Sequence, residues 1–192
     1  MKRDPLFSTL LESANTNFSG WDFSFISETG RMKSEPLSWS YGSTAFQLMQ
    51  HAESMLDMGT GGGEFLSMLQ PFPSTIYATE GYAPNVPIAR KKLEPLGVTV
   101  VEVINDTVLP FQDGQFDFII NQHESYAASE VKRILSPNGV FIVYYLKAIP
   151  WQIPDFTVER YYEELYRIHE IILQKGYFDV KQHRFIIKAI HS

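Results

Sequence analysis

From Glu53 onward, apolar and polar positions alternate in blocks that read as strands and helices in turn. Ser54 to Met58 is a short apolar run with the character of a buried strand, and Gly59-Thr60-Gly61-Gly62-Gly63 is a turn. A short helix follows from Glu64 to Gln70, stopped by Pro71. Thr75 to Thr79 reads as a second strand. Val86 to Leu96 reads as a helix with a basic face at Arg90, Lys91 and Lys92, ended by Gly97. Val98 to Ile104 is β-branched and extended. Phe116 to Asn121 and Val140 to Val143 are further strands, around a helix from Tyr126 to Leu135 and a turn at Pro137-Asn138-Gly139. Thr157 to Lys175 places Val158, Tyr161, Tyr162, Leu165, Ile168 and Ile172 at helical spacing, and Phe185 to Ile190 makes a last strand.

Strands that alternate with helices require right-handed crossovers and a mainly parallel sheet. Near-continuous apolar strands fit burial on both faces. The expected fold class is therefore α/β, a doubly wound, mainly parallel sheet with helices on both faces. Residues 1–52 carry little periodicity apart from a helix at Ser43 to Ala52, and form an N-terminal extension or lid; residues 53–192 form the main domain. Trp21, Trp39 and Tyr41 either close over a ligand or pack the extension, and Trp151 is a packing anchor.

Composition narrows the class. The 192 residues suit one domain with its own core. Without cysteine there is no disulfide, zinc-thiolate site or cysteine nucleophile. A formal charge of −6 gives no general attraction to nucleic acid or anionic membranes. The first twenty residues lack the apolar core of a signal peptide, and no apolar run is long enough to span a bilayer. These features fit a cytoplasmic protein with no membrane partner, and they disfavour nucleic acid without excluding it; a small-molecule partner is expected. The histidines form no metal-ligand pattern, and His169 is expected to have a structural or surface role.

The chemistry concentrates in four places. Asp57-Met58-Gly59-Thr60-Gly61-Gly62-Gly63 follows the first strand and opens a helix, where open parallel sheets bind ligands. Glycines allow close backbone approach, and free helix-start amides favour a compact anionic group. A dinucleotide fingerprint wants glycine at the sixth position, but Glu64 stands there, which counts against a nicotinamide oxidoreductase. Glu80 ends the second strand, placed to hold a ribose diol. Asn105 and Asp106 lie just past the third, and Asp117 reads as structural. Asn121-Gln122-His123-Glu124-Ser125 ends the fourth; His123 suits a general base and Glu124 an orienting or amine-binding group. Equally, Glu124 or Ser125 caps the next helix.

Asp57 to Gly63, Glu80, Asp106 to Asp117, and Arg133 to Phe141 together resemble class I S-adenosylmethionine-dependent methyltransferases, over roughly residues 53–143. The chain is most similar to a bacterial branch of that family. The resemblance implies the Rossmann-like methyltransferase fold, with S-adenosylmethionine across the carboxyl edge of the sheet. It implies Gly59, Gly61 and Gly63 at the methionine part, Glu80 at the ribose and Asp106 near the adenine. The family often has its acidic residue at the position held here by Asn105, so Asn105 and Asp106 compete for that role. The candidate cofactor set is Asp57, Gly59, Thr60, Gly61, Gly63, Glu80, Asn105, Asp106 and Asn121; the candidate catalytic pair is His123 and Glu124; no metal is expected. The expected activity is methyl transfer to a small molecule, with a non-catalytic S-adenosylmethionine sensor and an RNA methyltransferase as alternatives.

One feature breaks the pattern. Val140 to Trp151 holds a single charge in twelve residues, where a strand has about five or six. It reads as a strand joined to the end of a different element, and the resemblance to the bacterial branch of the family implies a segment absent near 142–143, either lost from the chain or unplaced. A cofactor-binding core is then expected, but not a complete enzyme.

Overall fold

In the computed structural model, residues 4–14, 28–147 and 154–192 are described. Trp21 and Trp151 lie outside them. The chain divides into two compact units, Gly20–Leu146 with Arg184–Ser192, and Met1–Ser19 with Lys147–His183.

The first unit holds a six-stranded sheet, made of β1 (Ser54–Met58), β2 (Thr75–Glu80), β3 (Thr99–Glu102), β4 (Phe116–Gln122), β5 (Leu135–Lys147) and β6 (His183–Ile190). Their order is β3-β2-β1-β4-β5-β6, and the first five run parallel. The chain therefore reverses direction across the sheet between β1 and β4, the switch point where such sheets bind ligands. β6 is antiparallel to β5: Asn138 N donates to His191 O, while Tyr145 stacks on Phe185 at the other end. The numbered helices of the first unit are α2 (Tyr41–Met49), α3 (Glu64–Ser67), α4 (Val86–Leu93) and α5 (Ala128–Ile134), and α1 (Pro5–Ala14) belongs to the second. No helix among the described residues is long and apolar enough to cross a membrane.

Side chains of each strand alternate between two cores. Met55, Ile76, Ala78, Phe118, Ile120 and Ile142 meet α2, α3 and α4 on one face through Ala45, Met49, Leu66, Ala89 and Leu93. Leu56, Met58, Ile119, Phe141 and Val143 face the other way, onto Val131 and Ile134 of α5. The doubly wound sheet with helices on both faces is thus realised. Between β3 and β4 the crossover is a loop instead of a helix, and α5 holds it in place. Arg133 donates to the carbonyls of Leu109 and Phe111, and pairs with Asp113 and Glu130. Glu130 in turn accepts from Leu109 N.

Several boundaries move from their sequence expectation. The helix after the glycine turn is only four residues long, Glu64–Ser67. The helix expected at Val86 to Leu96 ends at Leu93, and Pro95 falls in a 3₁₀ turn, with Gly97 at φ +87° behind it. The turn at Pro137-Asn138-Gly139 lies inside β5: pairing with β4 steps from Phe116↔Leu135 to Phe118↔Val140, and Asn138 takes φ +63°. From Val140 the strand is continuous. Ile142 and Val143 sit beside Ile120 and Asn121 in unbroken register.

In the second unit, α6 (Tyr162–Lys175) packs with α1. Phe7 meets Tyr162 and Tyr166 edge-on, and His169 joins Asp4 through Nε2 at 2.7 Å, buried and structural where a surface role was equally open. Asp4 is held below the usual carboxylate range chiefly by that hydrogen bond.

Asp117 ties the amino-terminal ends of the central strands. Its carboxylate accepts from Glu53 N, Ser54 N, Ser54 Oγ and Ser136 Oγ. Burial alone would raise its pKa, but these bonds outweigh burial and hold it low. A depressed carboxylate stabilises the fold above the unfolded pKa of about 3.9, and that stabilisation is lost as pH falls through the folded value. In chemical denaturation between pH 6 and pH 2, Asp117→Asn is expected to show a flatter acid limb than wild type; an unchanged slope would contradict the clamp.

Candidate functional site

The carboxyl ends of β1, β2, β3 and β4 meet at one edge of the sheet. After β1 the loop turns through left-handed backbone at Gly59, Gly61 and Gly63, with φ of +67°, +63° and +81°. Glycine alone adopts this alternation without strain. The loop is pinned to β2: Thr60 N donates to Thr79 O at 2.8 Å and Gly59 N to Thr79 Oγ1 at 3.2 Å.

Asp57 sits buried beneath this loop. Burial pushes its carboxyl up to about 7, the Glu80 charge adds to this, and Thr60 offsets part of it. Thr60 Oγ1 lies near Asp57 but outside hydrogen-bond geometry, and stays buried without a partner. An orphaned buried hydroxyl costs about 1–3 kcal/mol.

Glu80 is buried at the end of β2, and Oε1 accepts from Tyr82 N at 2.7 Å. Oε2 accepts no hydrogen bond among the described residues. Past β3, Asn105 and Asp106 separate clearly. Asn105 is exposed, and its Oδ1 accepts from Thr107 N and Thr107 Oγ1, closing a local turn. Asp106 is half-buried, and its Oδ2 accepts from Ser125 Oγ. Of the two, Asp106 is the residue tied to the β4 edge.

At that edge a single side chain sets the geometry. Asn121 is fully buried; its Oδ1 accepts from Glu124 N at 3.0 Å, and its Nδ2 donates to Glu124 O at 3.2 Å. The amide is thus engaged inside the protein, holding the turn. Tyr41, from α2, donates its hydroxyl to Asn121 O at 2.9 Å. Within the clasped turn His123 has φ +73°, a costly conformation for a residue with a Cβ. Its ring lies 4.6 Å from that of Tyr144. Burial, then the Arg184 charge, holds the imidazole below its usual pKa. It is therefore neutral near pH 7 and can accept a proton.

The same turn lays the Glu124 side chain across Gly59. A Cβ at Gly59 would come within 2.6 Å of Glu124 Oε2. Glu124 is raised above the usual carboxylate range by burial first, then by Asp106 and Glu80. Glu80, Asp106 and Glu124 thus form one carboxylate group over the glycine loop. Neither Glu124 nor Ser125 caps the next helix: α5 starts after Ala127 without a side-chain cap. Tyr41 and Trp39 pack on the sheet face, Tyr41 buried and Trp39 half-buried, both against Tyr144. Tyr144 and Arg184 were not distinguished by sequence pattern, because only the β4–β5–β6 pairing brings them beside His123. Among the described residues no group of three His, Asp or Glu side chains is placed to hold a metal ion.

Two substitutions separate strain from packing in this loop pair. His123→Gly is expected to raise unfolding stability by about 1 kcal/mol, because glycine relieves the left-handed backbone. Gly59→Ala is expected to lower it by more than about 1 kcal/mol, from strained φ together with displacement of Glu124. Urea titrations of the two variants check both signs.

A family model described as a methyltransferase domain matches residues 56–143. No curated protein matches the chain significantly. Among solved structures, YcgJ of Bacillus subtilis is 19% identical over 66% of this chain and 57% of its own, with a TM-score of 0.49. A Pyrococcus horikoshii protein is 23% identical over 53% of each chain, TM-score 0.46. Geranyl diphosphate methyltransferase, solved with GPP and sinefungin, is 16% identical over 65% of this chain and 52% of its own, TM-score 0.48. The chain spans about half the length of the solved structures it matches. The matched residues carry the glycine loop, Glu80 and the loop from Asp106 to Asp117, so that residues 56–143 of this chain are similar to a methyltransferase domain.

Proposed function

We propose that the protein transfers a methyl group from S-adenosylmethionine to a small polar or aromatic molecule. The observation that carries this reading is the buried, unpartnered Thr60 Oγ1 within the left-handed glycine loop, at the same sheet edge as the Glu80 carboxylate. Gly59, Gly61 and Gly63 let the backbone lie against the methionine part, with Thr60 Oγ1 as a hydrogen-bonding partner. Glu80 Oε2 takes a ribose hydroxyl while Oε1 stays fixed on Tyr82 N. Asp106, braced by Ser125, lies at the adenine end; Asn105, spent on its own turn, leaves that place to it. Asp57 and Asn121 act from beneath, one under the loop and one through the Glu124 turn.

S-adenosylmethionine supplies an activated methyl on a sulfonium. The Glu80, Asp106 and Glu124 carboxylates favour a cation at this edge. The protein's own contribution is mainly alignment of acceptor and methyl. Where the acceptor must lose a proton, neutral His123 accepts it. A net charge of −6 favours a small acceptor over RNA. A second reading, a non-catalytic S-adenosylmethionine sensor, draws support from Trp39 packed on Tyr144 beside His123, which narrows the acceptor side.

Isothermal calorimetry with S-adenosylmethionine and S-adenosylhomocysteine is expected to show both binding. Glu80→Ala should weaken each by about tenfold or more, as loss of a charge-assisted hydrogen bond to a buried group does. Binding of neither compound to folded wild-type protein would overturn the reading. Binding without methyl transfer to any compound of a broad metabolite panel would favour the sensor.

A further inference from the structure

The charges at the carboxyl edge are sorted by sign. Glu80, Asp106 and Glu124 gather above β1 to β3, close enough for each to bear on the Glu124 pKa. Beyond His123 the sign reverses. Arg184 lies near enough for its charge to act on the His123 ring.

Strand geometry fixes where Arg184 points. Ile186 packs into the core that contains Ile142 and Tyr144, whereas Phe185 stacks on Tyr145 from the opposite face, with rings 5.5 Å apart. Alternate residues of a strand share a face, so Arg184 lies on the face of Ile186 and Tyr144. The antiparallel β5–β6 pairing sets it at the end of the sheet where β4 gives way to His123. Arg184 is half-buried on that face.

The same face is walled with rings. Tyr144 touches three of them: Trp39 at 5.9 Å, Tyr41 at 5.6 Å and His123 at 4.6 Å. Tyr41 is anchored by its hydroxyl to Asn121 O, so the wall and the His123 turn are one rigid piece. Trp39 and Tyr144 stay half-buried and offer ring surface. A left-handed histidine is retained here at a cost, and backbone strain of this kind concentrates at functional sites.

We propose that His123, Tyr144, Trp39 and Arg184 form the acceptor subsite, and that it takes a hydroxylated aromatic carboxylic acid. The flat ring lies against Tyr144 and Trp39, and the carboxylate pairs with the Arg184 guanidinium, whose planar fork matches it. The hydroxyl then faces His123. As the new O–CH3 bond forms and the S–CH3 bond breaks, the hydroxyl proton passes to the neutral imidazole. The sulfonium becomes a neutral thioether, and the positive charge ends on the imidazolium. The proposal rests on the methyltransferase reading above.

The test uses full-length protein saturated with S-adenosylhomocysteine, and a panel of hydroxybenzoic and hydroxycinnamic acids, each with its carboxamide. Calorimetry is expected to show at least one acid bound about tenfold or more tighter than its amide, the worth of one charge-assisted pair. Arg184→Gln, checked for folding by thermal unfolding, should bring that ratio to about one, and Arg184→Lys should restore part of it. Tyr144→Leu should weaken acid and amide alike. If S-adenosylhomocysteine binds but acids and amides bind equally or not at all, the acceptor proposal falls and the methyltransferase reading stands. An acid preference that survives in Arg184→Gln also overturns it. Failure of S-adenosylhomocysteine to bind would remove both.

Discussion

Everything at the working edge hangs on the Asn121 amide. It is fully buried at the end of β4, a central strand with neighbours on both sides. An unsatisfied amide at such a depth is expensive, so it bonds the Glu124 backbone in both directions. Closing that turn forces His123 into left-handed backbone and throws the Glu124 side chain across the glycine loop. Gly59 then has to be glycine twice over, for its own φ and for the space Glu124 occupies. The β1 and β4 loops are therefore a single device. The requirement passes on to α2, whose Tyr41 hydroxyl satisfies the Asn121 carbonyl.

Much of the frame was legible along the chain. Buried parallel strands write themselves as apolar runs, and Gly59-Thr60-Gly61-Gly62-Gly63 after the first of them located the switch point. Glu80 was legible because a strand end followed by glycine has few structural reasons to be acidic. Asp117 was recognisable as structural because it opens a strand at the opposite edge.

What escaped depends on contacts distant in sequence. Nothing local says that a histidine takes φ +73°; the cause is an amide two residues earlier gripping the residue after it. Asn105 and Asp106 look alike in sequence, and only the Ser125 bond from another strand end separates them. The β3–β4 crossover lacks a helix because Arg133 and Glu130 of α5 satisfy its backbone directly. The length of β5 was visible as an apolar excess, but its cause was not. Asn138 in left-handed backbone lets the strand resume pairing after four unpaired residues, and the far end gains β6 as an antiparallel neighbour.

The sorting of charge follows from the same topology. Residues that end parallel strands face one edge together, so acidic residues at the ends of β2, β3 and β4 must crowd. Burial first, then the Asp106 and Glu80 charges, raise the Glu124 carboxyl above its usual range, and such a group favours a cationic or donor-rich ligand. An antiparallel strand runs the other way and brings its first residues, not its last, to that edge. β6 can therefore supply Arg184 beside the end of β4 while belonging to a later stretch of chain. A single reversed strand thus sets Arg184 beside the rings at one end of an edge whose other end carries Glu80, Asp106 and Glu124. His123 stands at the end of β4 with its imidazole held below its usual pKa, and a proton released there has a base within reach.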